Sequence, residues 1–246
     1  RCRMPEAMGT WQEYTTCSAD QLEKVPSEIP NDQAAMAFIN PPTAIRLLTD
    51  FVELQAGDWL IQNAANSAVG QCVIQIARGK GIHTINVVRD LKHESELKSL
   101  GADVVVEENS EYHKKISDYT QGAMPRLGLN SIGGESVARL IRSMGEHGKV
   151  VTFGGMSGEA IRYPTRPLIF QNISLHGFWM DRWYREAEQT SKQNMMSQVY
   201  EAMSNQHWQL PVDSIYPLND YKSAIEHAQA NGRKGKILFE SSDPQS

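Results

Sequence analysis

The sequence is poor in cysteine and has no long apolar run. Its three cysteines, Cys2, Cys17 and Cys72, are scattered over 246 residues, and no two of them form a CxxC pair. Structural zinc sites use clustered cysteine and histidine ligands, and disulfide-stapled domains use many cysteines, so we expect neither here and expect a reducing compartment. The apolar runs are far shorter than the roughly 20 residues of a membrane-spanning helix, so no segment is expected to cross a bilayer.

Basic residues are also in the minority. There are 24 Lys and Arg against 29 Asp and Glu, giving a formal net charge of −5, and no long basic run occurs. This balance argues against nucleic acid as a partner. With 40% hydrophobic and 22% charged residues, the composition is that of an ordinary globular protein, long enough for one large domain or two modest ones.

Two familiar catalytic motifs are missing. None of the seven histidines is followed by another at HxxxH spacing. Together with the scattered cysteines, this argues against a zinc alcohol dehydrogenase, and we predict no metal ligand. The GxSxG elbow of the serine hydrolases is absent as well.

Strand and helix patterns alternate through the middle of the chain. The strand patterns are short and almost continuously apolar, at residues 59–61, 82–88, 104–106, 127–129, 150–153 and 173–175. Helical apolar faces lie between several of them, the clearest at Val69, Cys72, Val73, Ile76 and Ala77 and at Val137, Leu140, Ile141 and Met144. This alternation predicts an α/β fold with a doubly wound parallel sheet of the Rossmann type, covered by helices on both faces.

The flanks of this region have a different character. Residues 1–40 contain prolines at 5, 26 and 30 and few long periodic elements, whereas two helical faces and a strand pattern at 236–240 follow residue 183. We therefore expect a nucleotide-binding domain at 43–183. Residues 1–42 and 184–246 are expected to be two pieces of a second domain.

The strongest functional signal follows the first strand of the predicted sheet. There the segment QNAANSAVG at 62–70 forms a loop of small residues that leads into a helix. Backbone N–H groups at a helix N-terminus attract the pyrophosphate of a dinucleotide, and small side chains let the backbone approach it. The usual GxGxxG is absent, and the small residues of the loop include Ala64, Ser67 and Gly70. A small-residue turn before a packed helix is also common scaffolding.

Several segments, in order along nearly the whole chain, carry a family resemblance. They are GTW at 9–11, INPPTA at 39–44, IQNAANSAVGQ at 61–71, TINVVRD at 84–90, LKSLGA at 97–102, FGGM at 153–156 and GFW at 177–179. On these segments the chain resembles the medium-chain dehydrogenase/reductase superfamily. Within its zinc-free branch it is most similar to the 2-enoyl thioester reductases, the mitochondrial trans-2-enoyl-CoA (enoyl-ACP) reductases.

The resemblance implies a GroES-like, β-rich catalytic domain beside the Rossmann domain. Because the chain opens at Arg1 without a methionine, we expect residues 1–42 to be a remnant of that domain whose N-terminal part is missing. The resemblance also implies NADPH as the cofactor, with Lys236 near its phosphates. The expected pyrophosphate contacts are Asn66, Ser67, Ala68 and Val69. The expected loop along the cofactor is Phe153, Gly154, Gly155 and Met156.

A second group of residues is implied at the nicotinamide end. Asn40 matches an asparagine that hydrogen-bonds there, and its alternative interpretation is an Asn-Pro turn. The segment of Phe178, Trp179 and Met180 matches one that touches the nicotinamide and lines the acyl pocket; alternatively, its aromatic rings form a core cluster with Trp183. Gly154 and Gly155 suit close approach of the backbone to a ligand, but could also be only a turn.

Arg89 and Asp90 give opposite indications about the cofactor. Asp90 lies about 20 residues after the loop, where an acidic residue binds the ribose 2′-hydroxyl of NAD. In the family that the chain resembles, the residue matching Arg89 binds the 2′-phosphate of NADPH, and a guanidinium can pair with that group bidentately. We predict NADPH, with Arg89 as the main determinant and Asp90 turned aside or bonded locally.

The implied reaction is reduction of the C2=C3 double bond of a 2-enoyl thioester in fatty acid synthesis. It requires stabilisation of charge on the thioester oxygen and a proton donor. The family's catalytic tyrosine lies well upstream of the GTW segment, which here begins at residue 9, so that position is not expected in this chain. Tyr14 lies on the wrong side of the motif, and we assign no catalytic residue.

Two alternatives remain open at this stage. The chain could be a quinone reductase of the same superfamily, or a non-catalytic NADPH-binding protein. The resemblance further implies a CoA or acyl-carrier-protein thioester as the small-molecule partner, and a homodimer. The expected compartment is the cytoplasm, with the mitochondrial matrix as the alternative.

Overall fold

The chain divides into two structural units. The computed structural model describes residues 9–19, 22–109, 111–230 and 232–240, together with the backbone of residues 2–3. Ile39–Met195 form one unit, here the central unit, and Arg1–Phe38 with Met196–Ser246 form the other, here the flanking unit. The junctions predicted from the sequence lie at 42/43 and 183/184.

The elements are numbered along the chain. The strands are β1 (Cys2–Arg3), β2 (Glu23–Lys24), β3 (Trp59–Gln62), β4 (His83–Val88), β5 (Val104–Glu107), β6 (Leu127–Asn130), β7 (Lys149–Thr152), β8 (Ser174–Gly177), β9 (Val212–Pro217) and β10 (Lys236–Glu240). The α-helices are α1 (Asn31–Met36), α2 (Asn40–Thr49), α3 (Ala68–Gly79), α4 (Glu94–Leu100), α5 (Ile116–Tyr119), α6 (Gly134–Arg142), α7 (Thr165–Phe170), α8 (Met180–Glu186), α9 (Gln189–Ser204) and α10 (Tyr221–Gln229). Short 3-10 helices lie at Leu91–His93, Tyr112–Lys115 and Leu218–Asp220.

Six strands form the sheet of the central unit, in the order β5-β4-β3-β6-β7-β8. Every neighbouring pair is parallel. From β3 the chain adds β4 and β5 on one side, then crosses to the other side and adds β6, β7 and β8. The order of a doubly wound sheet is therefore present, with its switch point between β3 and β6. The predicted fold class is confirmed.

The inner strands of the sheet are buried on both faces, because alternate side chains point to opposite sides and each side is covered by helices. Val87 of β4 packs in a cluster with Leu140 and Ile141 of α6. Its neighbour Val88 packs in another cluster, with Ile74 of α3 and Leu97 of α4. Strands covered in this way read as continuous apolar runs, and the sequence pattern located all six strands, including the partly buried edge strands β5 and β8.

The flanking unit contains two small sheets. β1 and β2 are antiparallel, and β9 and β10 are parallel with a register shift between Lys236 and Ile237. α10 connects β9 to β10 and packs against both. The sequence analysis predicted α10 and β10 but not β9, whose half-buried residues lack a continuous apolar run.

Further general features concern the membrane and the cysteines. Among the described residues, no helix combines the length and the apolar content needed to cross a bilayer. Neither Cys17 nor Cys72 is part of a disulfide, and Cys72 is buried in α3. The side chain of Cys2 lies outside the described residues.

Candidate functional site

Most of the predicted cofactor residues meet at the carboxyl edge of the central sheet. They follow the ends of four strands: residues 66–69 follow β3, 89–90 follow β4, 153–156 follow β7 and 178–180 follow β8. Because all six strands are parallel, their carboxyl ends lie along one edge, where doubly wound sheets bind their ligands. The structure thus brings together four segments that are distant in sequence.

The loop after β3 is shaped for close approach to a ligand. Ala64 has a φ of 47°, in the left-handed region, and Ser67 caps α3 by accepting a hydrogen bond from the N–H of Gly70 at 3.2 Å. A Cβ on Gly70 would lie 2.8 Å from the carbonyl carbon of Ala65, so only glycine lets the helix pack on the loop. The N–H groups of Ala68 and Val69 precede the first bonds within the 12-residue helix α3, and they lie with the positive end of the helix dipole at the sheet edge.

Two buried amides hold this loop against its neighbours. Gln62, the last residue of β3, donates from Nε2 to Asn86 Oδ1 on β4 at 2.8 Å and to the carbonyl of Gly70 at 3.0 Å. Asn86 Nδ2 donates in turn to the carbonyl of Val104 on β5 at 3.0 Å. A buried polar group that loses its partner costs free energy, so these bonds fix the positions of β3, β4 and α3 relative to one another.

A second amide pair spans the switch point. Asn63 donates from Nδ2 to Asn130 Oδ1 at 2.8 Å and to Ser136 Oγ at 3.0 Å, and its Oδ1 accepts from the N–H of Ser131 at 2.8 Å. Asn130 Nδ2 donates to Thr152 Oγ1 at 3.1 Å. The loops after β3 and β6 and the end of β7 are thereby joined by side chains that are almost fully buried.

The sequence analysis did not predict this network of buried amides. Its members are Gln62, Asn63, Asn86 and Asn130. The available signal was a polar amide at, or one residue beyond, an otherwise apolar strand. An isolated buried amide in such a position requires a partner, and the partners lie on other strands.

Arg89 and Asp90 differ in their contacts. Both are exposed at the end of β4. The guanidinium of Arg89 has no hydrogen-bond or ion-pair partner among the described residues. Asp90 accepts a hydrogen bond from the N–H of Lys92 at 2.9 Å and forms an ion pair with Lys92 Nζ at 3.1 Å. The Lys92 N–H and ammonium hold the pKa of the Asp90 carboxyl below its usual range, so the group is anionic and locally engaged.

The loop after β7 packs on the loop after β6. The N–H of Phe153 donates to the carbonyl of Asn130 at 3.0 Å, and the N–H of Met156 donates to the carbonyl of Ser131 at 2.9 Å. A Cβ on Gly154 would lie 3.2 Å from Ser131, whereas one on Gly155 would meet nothing within 4 Å. The close approach at Gly154 is thus to the protein itself, while Gly155 and the exposed Met156 face open space.

The segment after β8 exposes one large aromatic side chain. Phe178 packs edge-on against Phe51, with ring centroids 6.0 Å apart, and Met180 is buried at the start of α8. Trp179 is 57% exposed, and the guanidinium of Arg185 lies 4.8 Å from its ring centroid. The alternative of an aromatic core cluster with Trp183 is therefore wrong for Trp179, whose ring remains open to solvent.

Two predicted residues lie outside these four segments. Asn40 is the first residue of α2, with Pro41 and Pro42 in the first turn of a helix that packs on α3. The alternative of an isolated Asn-Pro turn is wrong, because proline is accommodated at the beginning of a helix, where its missing N–H is not needed. Lys236 begins β10 in the flanking unit.

Comparison with known proteins shows the family. The sequence model of the zinc-binding dehydrogenases matches residues 68–200, which include α3 and every later strand of the central sheet. The mitochondrial enoyl-[acyl-carrier-protein] reductase of Dictyostelium discoideum is 38% identical over 96% of this chain and 69% of its own length. The chain belongs to the medium-chain dehydrogenase/reductase superfamily, in the branch of the enoyl thioester reductases.

Other members of the superfamily give the same result. The human mitochondrial enoyl-[acyl-carrier-protein] reductase is 39% identical over 89% of this chain and 60% of its own length. The chain therefore covers 69% of the length of the Dictyostelium relative and 60% of the length of the human one.

Solved structures of the superfamily have the same fold. The complex of Etr1p with NADP and crotonyl-CoA matches with a TM-score of 0.86 at 28% identity, covering 96% of this chain and 72% of that one. A Bacillus thuringiensis structure assigned as an NADPH:quinone reductase matches with a TM-score of 0.86 at 30% identity, covering 93% of this chain and 70% of that one.

The description of the matching family implies zinc, and the described residues do not fit it. In the part of the chain that the structure describes, no three His, Cys, Asp or Glu side chains lie close enough to hold one metal ion. Stable zinc binding requires three or four such ligands. No step of the chemistry is therefore assigned to a metal.

Proposed function

We propose that this chain is part of an NADPH-dependent enoyl thioester reductase, which reduces the C2=C3 double bond of a 2-enoyl-CoA or 2-enoyl acyl carrier protein. The observation that carries the proposal is the 38% identity, over 96% of the chain, to a protein named enoyl-[acyl-carrier-protein] reductase. The carboxyl-edge geometry of the central unit supports it, because this is where doubly wound sheets bind dinucleotides. In this assignment residues 43–183 are the cofactor domain, and residues 1–42 and 184–246 belong to the catalytic domain.

The residues of the sheet edge fit NADPH. The close packing of Gly70 on Ala65 holds the loop against the N-terminus of α3, where Asn66, Ser67, Ala68 and Val69 would hold the pyrophosphate. The segment that would lie along the cofactor is Phe153, Gly154, Gly155 and Met156. Phe153 donates its N–H to the carbonyl of Asn130, which the hydrogen bond from Asn63 holds in place. Asn40, Phe178, Trp179 and Met180 would serve the nicotinamide end, and Lys236 the phosphates.

The choice of NADPH rests on the end of β4. No residue that the structure describes forms a hydrogen bond or an ion pair with the guanidinium of Arg89. A 2′-phosphate could therefore bind this guanidinium through charge-assisted hydrogen bonds. Asp90 would select NADH only if its carboxylate were available to a ribose hydroxyl, and both of its oxygens already contact Lys92. This arrangement supports NADPH over NADH.

The chemistry assigned to the chain is binding and orientation. Bound NADPH supplies a hydride to the substrate. The residues of the four edge segments fix the cofactor against the sheet, and the exposed ring of Trp179 offers an apolar surface for an acyl chain. No described residue is assigned as the proton donor, and Tyr14, which is 72% exposed, is not given that role.

We further propose a homodimer formed through the β8 edge of the central sheet. β8 is an edge strand, and neighbouring α7 has no buried residue. Ile169 and Phe170 of α7 are 65% and 72% exposed, and Leu175 of β8 is 36% exposed. An edge strand has unpaired backbone N–H and C=O groups, and with exposed apolar side chains beside it, it can pair with the same strand of a second copy of the chain. For the compartment, the relatives named as mitochondrial favour the matrix over the cytoplasm.

A quinone reductase is the second candidate, because the Bacillus thuringiensis structure assigned to that activity matches as well as Etr1p does. The deciding experiment measures NADPH oxidation with crotonyl-CoA and with a benzoquinone, using this chain and the complete gene product. We expect oxidation with crotonyl-CoA in the complete protein. Oxidation with the quinone alone would favour the second candidate, and NADPH binding without either oxidation would favour a non-catalytic NADPH-binding protein.

A further inference from the structure

We propose that Lys92 is a specificity-determining residue for the cofactor, and that it acts by engaging Asp90. The inference rests on the proposed preference for NADPH and extends it to a residue that neither the sequence motifs nor the family resemblance singles out. Its role is to make an acidic residue at the end of β4 compatible with a cofactor that carries an additional phosphate.

The geometry assigns both oxygens of Asp90 to one residue. Oδ1 accepts from the backbone N–H of Lys92 at 2.9 Å, and Oδ2 lies 3.1 Å from Lys92 Nζ. The first contact makes Asp90 the N-cap of the 3-10 helix Leu91–His93, which fixes the direction of the carboxylate. The second places a full positive charge on the same group. Asp90 is therefore both turned and neutralised by a residue two positions along the chain.

The other basic side chain of this segment, His93, lies against a different carboxylate. His93 Nδ1 lies 3.7 Å from Glu96 Oε2, and Glu96 also accepts a hydrogen bond from Gln71. Lys92 is consequently the cation that the structure places in contact with Asp90. Arg89, on the other side of Asp90, has no described partner and remains available to a ligand.

Electrostatics explains why this matters for selectivity. A carboxylate with free lone pairs at the end of the second strand accepts a hydrogen bond from a ribose 2′-hydroxyl and favours NADH. The same carboxylate repels a 2′-phosphate, which carries close to two negative charges near neutral pH. Without the ammonium of Lys92, Asp90 would keep its charge and regain a free oxygen. The balance would then move from NADPH toward NADH.

The experiment compares Lys92→Met, Asp90→Asn and the double variant with the unmodified protein. Methionine keeps the apolar stem of lysine without its charge, and asparagine keeps the N-cap of the 3-10 helix without the carboxylate. Dissociation constants for NADPH, NADH and adenosine 2′,5′-bisphosphate are measured by fluorescence and calorimetry. The bisphosphate represents only the adenosine half of the cofactor. All three dissociation constants are measured without catalysis.

In Lys92→Met we expect affinity for NADPH and the bisphosphate to fall by roughly three- to tenfold, because an exposed ion pair contributes only modestly while the phosphate that Asp90 would repel carries nearly two charges. Affinity for NADH should stay within about twofold or improve. In the Asp90→Asn background the same lysine substitution should change NADPH affinity by less than about twofold, since no carboxylate remains to be neutralised.

Lys114→Met is the matched control. Lys114 forms an exposed ion pair with Glu111 in another 3-10 helix of the central unit, which follows the outermost strand β5 rather than any of the four strands that precede the predicted cofactor segments. Its substitution should leave both cofactor affinities unchanged. A parallel loss in this control would show a general charge effect and overturn the inference.

Other outcomes are equally decisive. An equal loss of NADPH affinity with and without Asp90 would show that Lys92 contacts the phosphate directly, and an unchanged NADPH/NADH ratio in Lys92→Met would show that it has no role in selectivity. Either result overturns the inference and leaves the proposed NADPH preference intact. A preference of the unmodified protein for NADH would overturn both, and it is visible before any variant is made.

Discussion

Asn63 and Asn130 are hydrogen-bonded to each other across the switch point of the central sheet, with Nδ2 of Asn63 donating to Oδ1 of Asn130 at 2.8 Å. Asn63 follows β3, from which the sheet grows in one direction, and Asn130 ends β6, from which it grows in the other. Asn130 Oδ1 also accepts from the N–H groups of Ile132 at 3.2 Å and Gly133 at 3.1 Å. One buried amide oxygen thus organises the loop after β6.

Replacing Asn63 by aspartate should be strongly destabilising. The substitution keeps the shape of the side chain but places a second acceptor, or a buried charge, against Asn130 Oδ1. We expect a loss of about 2–4 kcal/mol in the free energy of unfolding, measured by urea denaturation. Asn109→Asp is the matched control, because the exposed Asn109 uses only its oxygen, accepting from the N–H groups of Glu111 and Tyr112. Equal stability of the two variants would contradict the role assigned to Asn63.

Gly70→Ala should displace the loop after β3. The added Cβ would meet the backbone of Ala65, which cannot move without the loop. We expect a loss of about 1–3 kcal/mol in stability and weaker NADPH binding by about tenfold. In the same helix, Gly79 has nothing within 4 Å of its Cβ position, so Gly79→Ala should be neutral or stabilising. If the two alanine variants bound NADPH equally well, the loop would not be held by the packing at Gly70.

Arg89→Ala should reduce NADPH binding much more than NADH binding. Loss of charge-assisted hydrogen bonds to a 2′-phosphate should weaken NADPH by roughly 10- to 100-fold, while NADH should change by less than about twofold. The dissociation constants of both cofactors are the measurement. Arg142, exposed at the C-terminal end of α6, provides the control substitution, because the chain there approaches the amino edge of the sheet. Equal losses for the two cofactors would place Arg89 outside the 2′-phosphate site.

Phe170→Asp should convert the proposed dimer to a monomer. It introduces a charge into the apolar border of β8, where Phe170 is 72% exposed. Light scattering should give twice the chain mass for the unmodified protein and one chain mass for the variant at the same concentration. Tyr119→Asp changes another exposed aromatic residue, on α5, and should leave the mass unchanged. A monomeric unmodified protein would exclude the dimer at that concentration.

The inner strands of the central sheet, β3, β4, β6 and β7, were predictable because burial on both faces leaves a continuous apolar run in the sequence. β3 through β8 read as short apolar runs, and the structure confirms each of them. β9 was missed because Asp213 and Ser214 interrupt its apolar residues, so no continuous run exists to detect, whereas the equally half-buried β10 contains the run Ile237, Leu238 and Phe239. A strand that is buried on both faces requires consecutive apolar residues, which the sequence shows directly. A strand that is only partly buried can contain polar residues, and its position is then decided by contacts with residues distant in sequence.

The candidate site was predictable only in part, for a related reason. The loop at 62–70 and the adjacent residues Arg89 and Asp90 carry local motifs. The ion pair that engages Asp90 is a matter of side-chain direction, which spacing alone does not give. The contact between Asn63 and Asn130 joins residues 67 positions apart, and no local pattern specifies a partner at that distance.

The hydrogen bonds that Asn63 and Asn130 accept have a consequence for the dynamics of the loop after β6. The amide protons of Ser131, Ile132 and Gly133 are bonded to side-chain oxygens in the interior, although these residues belong to no helix or strand. The Ser131 amide is bonded across the switch point to Asn63, so its exchange with deuterated water should be as slow as that of strand β6 and become fast only when the two halves of the sheet separate. In an exchange experiment Ser131 would report on the opening of the switch point, whereas Ile132 and Gly133, which are bonded to Asn130 on their own side, would report on the opening of the loop after β6.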